Sequence, residues 1–228
     1  MIKRYYINIT NACNRDCPFC CMYSSSKNSQ FMTMEQFKSI INNTDEKIEL
    51  QLEGGEPVIH PLFYDFVRYA FENNRILNLC VLTNGVAFND AAKFLKQIAN
   101  KYKINVLIKV SFNYYLDSFK DHFDTVKQMC IDNPNDEWFK IIGNVRFRPD
   151  NPVDKALIDK INADDIISQV CKDRCWSLQH YGKAKNDKNL SDIIIVCRDI
   201  DYHLFSSDAL DFGKDLVKRS EHEGEITK

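Results

Sequence analysis

Residues 10–20 read Thr10-Asn11-Ala12-Cys13-Asn14-Arg15-Asp16-Cys17-Pro18-Phe19-Cys20, and this stretch decides the reading of the whole chain. Three of its residues form the spacing CxxxCxxC, and Cys21 follows directly. The segment ahead of them, Arg4 to Thr10, alternates aromatic or β-branched residues with polar ones and predicts a strand. The cysteines therefore lie on the loop that leaves a strand. Three thiolates this close can converge on one metal centre. Zinc would want a fourth ligand, commonly Cys or His, and no CxxC or HxxxH partner follows at finger-like distance. Three cysteines suit instead a [4Fe–4S] cluster with one iron left without a protein ligand. An open iron is a place for chemistry, as the open position of a catalytic zinc is.

The rest of the composition agrees with this reading. The chain has 228 residues, 44% hydrophobic and 27% charged, with a net charge of −2. That is one domain of ordinary size, or one with a small appendage, able to bury a core without disulfides. Its nine cysteines fall well short of the roughly 8–10% that marks a disulfide scaffold. The first residues contain no apolar run of signal-peptide length, and no window approaches the ~18 apolar residues of a membrane span. The expectation is a cytoplasmic protein with reduced thiols and no membrane partner, in which clustered cysteines are metal ligands sooner than bridges. The charge gives no pull toward nucleic acid. Residues 219–228 are polar and unpatterned and read as a frayed tail.

Strand and helix signals alternate along the chain. Thr33-Met34-Glu35-Gln36 resembles a capping box ahead of the stripe Phe37, Ile40, Ile41. Lys47 to Leu52 is a strand running into Glu53-Gly54-Gly55-Glu56-Pro57. Leu62 to Asn73 is a helix. Ile76 to Thr83 is a strand ending in Thr83-Asn84-Gly85. Asn89 to Lys101 is a helix with Asn89 as its cap. Ile104 to Phe112 is a strand, Ser118 to Ile131 a helix, and Trp138 to Phe147 a strand. Pro152 to Val170 is helical with a break near Asn162. Asp192 to Arg198 is a strand, and Asp208 to Lys218 a closing helix. Repeated βα alternation implies a parallel sheet. The units are too few for a closed eight-fold barrel of ~250 residues, so the expected fold is α/β, a partial (β/α)6-type TIM barrel. The core is residues 1–160 and the C-terminal extension residues 161–228. Functional residues should lie at the C-terminal ends of strands. The three unusual motifs fall there and suggest one site.

At this point the sequence resembles the radical S-adenosylmethionine (radical SAM) superfamily. That family's motif is CxxxCxφC with φ aromatic, here Phe19. Its Gly-Gly-Glu-Pro motif after the second strand stands as Gly54-Gly55-Glu56-Pro57, and Thr83-Asn84-Gly85 after the third is also typical. The resemblance covers roughly residues 4–150. It implies that Cys13, Cys17 and Cys20 hold a [4Fe–4S] cluster whose open iron binds S-adenosylmethionine (SAM). One electron, from a donor such as flavodoxin or ferredoxin, cleaves SAM to a 5′-deoxyadenosyl radical, which removes a hydrogen atom from the substrate. Gly54 and Gly55 would let backbone come close to SAM. Glu56 would stabilise its ammonium or shape the loop, and Pro57 would fix the exit. The family's Ser-Leu-Asp-Gly at the end of strand four is Ser111-Phe112-Asn113-Tyr114 here, so Ser111 and Asn113 are weaker SAM candidates. On strand five Asn144, Arg146 and Arg148 are candidates for ribose or carboxylate, with Arg146 the chosen one.

The remaining cysteines divide. Cys21, Cys80 and Cys130 read as packing. Cys171, Cys175 and Cys197 resemble a shortened form of the auxiliary-cluster extension of peptide-modifying members, though the spacing is not the usual one. They form a possible second Fe–S site, set against buried or incidental thiols. His60, His122, His180, His203 and His222 lack metal-ligand spacing and receive no role. A peptide or protein side chain is the slightly favoured substrate. A small molecule such as a nucleotide or cofactor precursor is the alternative. Activation of a glycyl-radical enzyme ranks lower, because the context Thr-Asn-Ala-Cys-Asn differs from theirs. A non-catalytic iron–sulfur or zinc protein would leave Gly54-Gly55-Glu56-Pro57 and Thr83-Asn84-Gly85 without a role.

Overall fold

Two strands with opposite characters on their two faces begin the fold. In β1 (Ile2–Thr10), Tyr5, Ile7 and Ile9 are buried. In β2 (Ile48–Gly54), Ile48, Leu50 and Leu52 are buried in the same alternation. Period-two side chains put these residues on one face, and burying each contributes about 1.5–3 kcal/mol. The other face is polar: Arg4, Tyr6, Asn8 and Thr10 on β1, and Glu49, Gln51 and Glu53 on β2. Arg4 Nε donates to Glu49 Oε2 at 2.8 Å, and Asn78 Nδ2 donates to Glu49 Oε1 at 2.9 Å. The computed structural model describes residues 2–20, 24–42, 45–148, 150–171 and 200–206.

The chain divides into two compact units, Met1–Cys80 with Ser177–Lys228, and Val81–Trp176. In the first, β1 pairs in parallel with β2 on one side and with β6 (Ile200–Ser206) on the other. Helices α1 (Met34–Asn42) and α2 (Phe63–Glu72) meet through Phe37 and Phe66, whose rings stack at 4.3 Å. The expected capping box starts α1. Gln36 N–H donates to Thr33 Oγ1 at 3.2 Å, and Thr33 N–H donates to Gln36 Oε1 at 2.8 Å. The strand β3 (Ile76–Thr83) leads the chain into the second unit.

In the second unit β4 (Asn105–Phe112) and β5 (Phe139–Val145) pair in parallel. The helices α3 (Asn89–Tyr102), α4 (Tyr114–Asp117), α5 (His122–Asp132), α6 (Pro152–Asn162) and α7 (Asp165–Val170) belong to it. The break expected near Asn162 is present, because Asp164 restarts the helix by accepting from Ile166 N–H and Ile167 N–H. Strand–helix alternation with parallel pairing is the α/β architecture of the partial (β/α)6-type barrel class.

Three local expectations change. Asn89 does not cap α3. The cap position is Phe88, and Asn89 Nδ2 instead donates to Asp132 Oδ2 at 2.6 Å while its Oδ1 accepts from Asn133. The expected helix at 118–131 starts at His122, after the separate turn α4. The strand β6 was not anticipated, whereas the expected strand at 192–198 and helix at 208–218 lie outside the described residues. No helix among the described residues is long and apolar enough to cross a membrane.

Candidate functional site

The cysteine loop is closed at its root by Gln30. Its main-chain oxygen accepts from Thr10 Oγ1 at 2.7 Å and Asn11 N–H at 3.3 Å. Gln30 N–H donates to Asn11 Oδ1 at 3.0 Å, and Asn11 Nδ2 donates to Gln30 Oε1. Further out, Cys13 N–H donates to Ser25 O at 3.0 Å. Asp16 accepts from Ser26 N–H at 3.0 Å and Ser26 Oγ at 2.8 Å. The loop is therefore laced to residues 24–30, with Cys13, Cys17 and Cys20 half-buried and Phe19 buried.

Gly54-Gly55-Glu56-Pro57 docks on the same root. Gly55 N–H donates to Thr10 O at 2.7 Å and Glu56 N–H to Ala12 O at 2.9 Å. A Cβ on Gly54, whose φ is +139°, would lie 2.2 Å from Thr10 O. One on Gly55 would lie 1.9 Å from Ala12 O. The close approach these glycines permit is thus to the chain's own backbone, immediately before Cys13. Their expected freedom to meet a ligand does not extend to the Gly55 and Glu56 amides, which are already donated. Glu56 is fully buried, and Pro57 opens a short 3₁₀ turn, Pro57–Ile59.

His60 ends that turn and was missed in the sequence. Its Nδ1 accepts from Leu62 N–H at 3.0 Å, which fixes the tautomer and makes Nε2 the donor to Met32 O at 2.9 Å. Burial lowers its pKa from the ordinary 6.5. A neutral imidazole thus ties the exit of the glycine motif to the chain returning from the cysteine loop. No spacing signal could have found it, because its partners are backbone groups.

A [4Fe–4S] cluster can be tested against the donors present. Among the described residues no three His, Cys, Asp or Glu side chains converge as a cage for a single ion. In a cubane each thiolate binds its own iron at a separate corner, so three ligands surround one cluster and share no single ion. Three half-buried thiolates on one tethered loop fit the cluster.

The second unit holds the other candidates, and here the side chains serve nearby backbone. Thr83 Oγ1 accepts from Gly85 N–H at 2.9 Å, and Asn84 Oδ1 from Val86 N–H at 3.0 Å. His122 Nε2 lies 2.9 Å from Asn84 O. A Cβ on Gly85, at φ +82°, would meet Val126 Cγ2 at 2.7 Å and Val110 Cγ1 at 3.0 Å. Asn113, in place of the family's acid, caps α4 by accepting from Leu116 N–H at 3.0 Å. Ser111 is paired in register with Asn144. Arg146 keeps a buried Nε without a hydrogen-bond partner among the described residues. Arg148 is committed elsewhere: Nε and N–H both donate to the buried Asp154 Oδ2, at 2.8 and 2.6 Å.

Burial pushes the Cys130 thiol up to about 11, so it is protonated at neutral pH and belongs to the packing. Cys171 is fully buried, and its Sγ occupies the space where a Cβ on Gly143 of β5 would stand, 2.1 Å from it. Cys21, Cys175 and Cys197 lie outside the described residues.

Comparison with known proteins bears on this geometry. A family model described as the radical SAM superfamily matches residues 7–146. The chain is 30% identical over 206 residues to a probable GTP 3′,8-cyclase of Methanocaldococcus jannaschii, covering 87% of this chain and 56% of that one. It is 33% identical over 88 residues to an S-adenosylmethionine-dependent nucleotide dehydratase of Selenomonas ruminantium, covering 37% and 31%. An uncharacterised Methanocaldococcus jannaschii protein is 29% identical over 141 residues, covering 57% and 48%. The chain thus spans between about a third and just over half of these relatives. Among solved structures, BtrN in complex with AdoMet and 2-DOIA aligns with a TM-score of 0.46 at 19% identity, covering 63% and 57%.

Proposed function

The chain belongs to the radical SAM superfamily, and from that premise we propose that Cys13, Cys17 and Cys20 hold its [4Fe–4S] cluster and that its substrate is a small molecule of the nucleotide class. Members of this family are enzymes that use the cluster and SAM, act on a substrate and need a reductant. Held by Cys13, Cys17 and Cys20, the cluster would supply the electron for reductive cleavage of SAM, the chemistry by which this family takes a hydrogen atom from a substrate.

The observation that carries the assignment of the cysteines is the interlock of two distant motifs. The family match spans both, and Gly55 N–H and Glu56 N–H donate to the Thr10 and Ala12 carbonyls ahead of Cys13. In this reading Gly54 and Gly55 set the loop's height, and Gln30 and His60 hold its return. Phe19 packs beneath the ligands, Glu56 and Pro57 shape the SAM side, and Thr83, Asn84, Ser111, Asn113 and Arg146 remain candidate SAM contacts. Residues 1–160 are the catalytic core and 161–228 the extension. The electron donor is a flavodoxin or ferredoxin.

The nucleotide reading draws on the similarity to proteins named as GTP 3′,8-cyclases and as a nucleotide dehydratase. It displaces the slight preference for a peptide. The peptide reading retains one support, the CxxxC of Cys171 and Cys175 with Cys197 beyond, whose spacing would suit an auxiliary cluster. The test is anaerobic reconstitution with SAM and reductant. We expect ~4 irons per chain, or ~8 with a second cluster, and 5′-deoxyadenosine formation stimulated by a nucleotide. Reduced, cluster-loaded protein that forms no 5′-deoxyadenosine with any candidate substrate would sink the proposal.

A further inference from the structure

The polar face shared by β1 and β2 contains a carboxamide whose chemistry is unfinished. Arg4 pairs with Glu49, Thr10 Oγ1 donates to Gln30 O, and Gln51 Nε2 donates to Glu53 Oε2 at 2.8 Å. Asn8 stands among them. It is completely buried, yet neither Nδ2 nor Oδ1 has a hydrogen-bond partner among the described residues. Buried amides in folded proteins are paired almost without exception, because an unpaired one forfeits its bonds to water. A strand interior would ordinarily place Val, Ile or Leu here.

The position of Asn8 points to a ligand. It lies one inward residue below Thr10, on the strand whose following loop carries the cysteines. Its register partner is Glu53, which immediately precedes Gly54-Gly55. In α/β folds this end of the strands is where ligands bind. The Glu53 carboxylate beside it disfavours an anionic group such as phosphate. A carboxamide offers a donor and an acceptor side by side, and its complement is a neutral edge with an acceptor next to a donor. Nucleobases carry such edges, and Asn pairs with adenine in this bidentate way. Tyr6, register-paired with Gln51, adds a ring on the same face, the residue type on which bases stack.

We propose that Asn8, flanked by Tyr6, Gln51 and Glu53 on the polar face of β1 and β2, recognises the nucleobase of the substrate. This rests on the nucleotide reading above. The test uses cluster-loaded protein, with ATP, GTP, CTP and UTP as probes in equilibrium dialysis, and compares wild type with Asn8→Leu and Asn8→Ser. Leu has the shape of Asn without its polar atoms, so removing an unpaired amide should raise the Tm by ~2–4 °C. The same change should weaken binding of the preferred nucleotide by about tenfold or more. Asn8→Ser, which keeps a small polar group, should weaken binding without that rise. A lower Tm in Asn8→Leu, or unchanged nucleotide affinity, overturns the proposal and leaves the nucleotide reading intact. If wild type binds none of the four, the nucleotide reading falls and the proposal with it.

Discussion

Gly55 and Gly85 both sit in turns at strand ends, and they are needed for different reasons. At Gly55 a side chain would collide with the Ala12 carbonyl, a backbone atom held by its own hydrogen bond. At Gly85 it would meet methyl groups of Val110 and Val126, which can rotate or give way. The first glycine joins two segments more than forty residues apart in sequence. The second serves a turn whose polar side chains, Thr83 and Asn84, bond the amides two residues on. In one unit the motif is a contact between distant backbones. In the other it is local turn chemistry, constrained by a positive φ and by the valine methyl groups beside it.

This difference orders the expected effects. The largest belongs to Cys17→Ala, which should abolish SAM cleavage and lower iron well below the ~4 per chain of the loaded protein, read by iron analysis and 5′-deoxyadenosine assay. Gly55→Ala comes next. A clash with fixed backbone should cost on the order of 4 kcal/mol, and iron loading should fall along with stability in denaturant titrations. Gly85→Ala should cost less, about 1–2 kcal/mol for the positive φ, and leave iron per chain unchanged. Equal losses from the two glycine substitutions would erase the distinction between them. Asn113→Ala removes a cap and should cost ~1 kcal/mol, again with full iron loading.

The smallest effect is one of pH. Because burial lowers the His60 pKa below 6.5, the unfolded chain binds the proton before the folded chain does. The stability His60 contributes is complete above about pH 6.5 and declines as the pH falls below that value. Thermal melts of His60→Gln between pH 7 and 5 should show a shallower decline than wild type. An identical slope would mean that the imidazole is not held neutral by its two backbone partners.

What the sequence disclosed follows the same division between near and far. The CxxxCxxC spacing, the Thr33–Gln36 capping box and the break before Asp164 are short-range patterns, and each was legible. Asn89 misled because Asn is a favoured cap, while Asp132 and Asn133 across the helices compete for its amide. The docking of Gly54 and Gly55 on Thr10 and Ala12 was not legible, since nothing in a Gly-Gly pair says whether the near neighbour is a ligand or the chain itself. His60 was hidden because it serves backbone groups. Asn113 looked like a departure from the family's acid, and its side chain is taken up by a local partner, Leu116 N–H.

The pairing of β6 with β1 has a consequence for how the molecule assembles. Ile2 aligns with Ile200 and Asn8 with Ser206, so the strand that leads into the cysteine loop gains its second neighbour from nearly two hundred residues downstream. Closing so long a loop is entropically slow but only weakly dependent on length, and contacts of this separation form late. During synthesis β1 can pair with β2 as soon as Gly54 has emerged, which completes the root of the loop. Its other edge stays open until the 200s are made. The root of the cysteine loop is thus framed early, while the strand that leads into it is still exposed on one side.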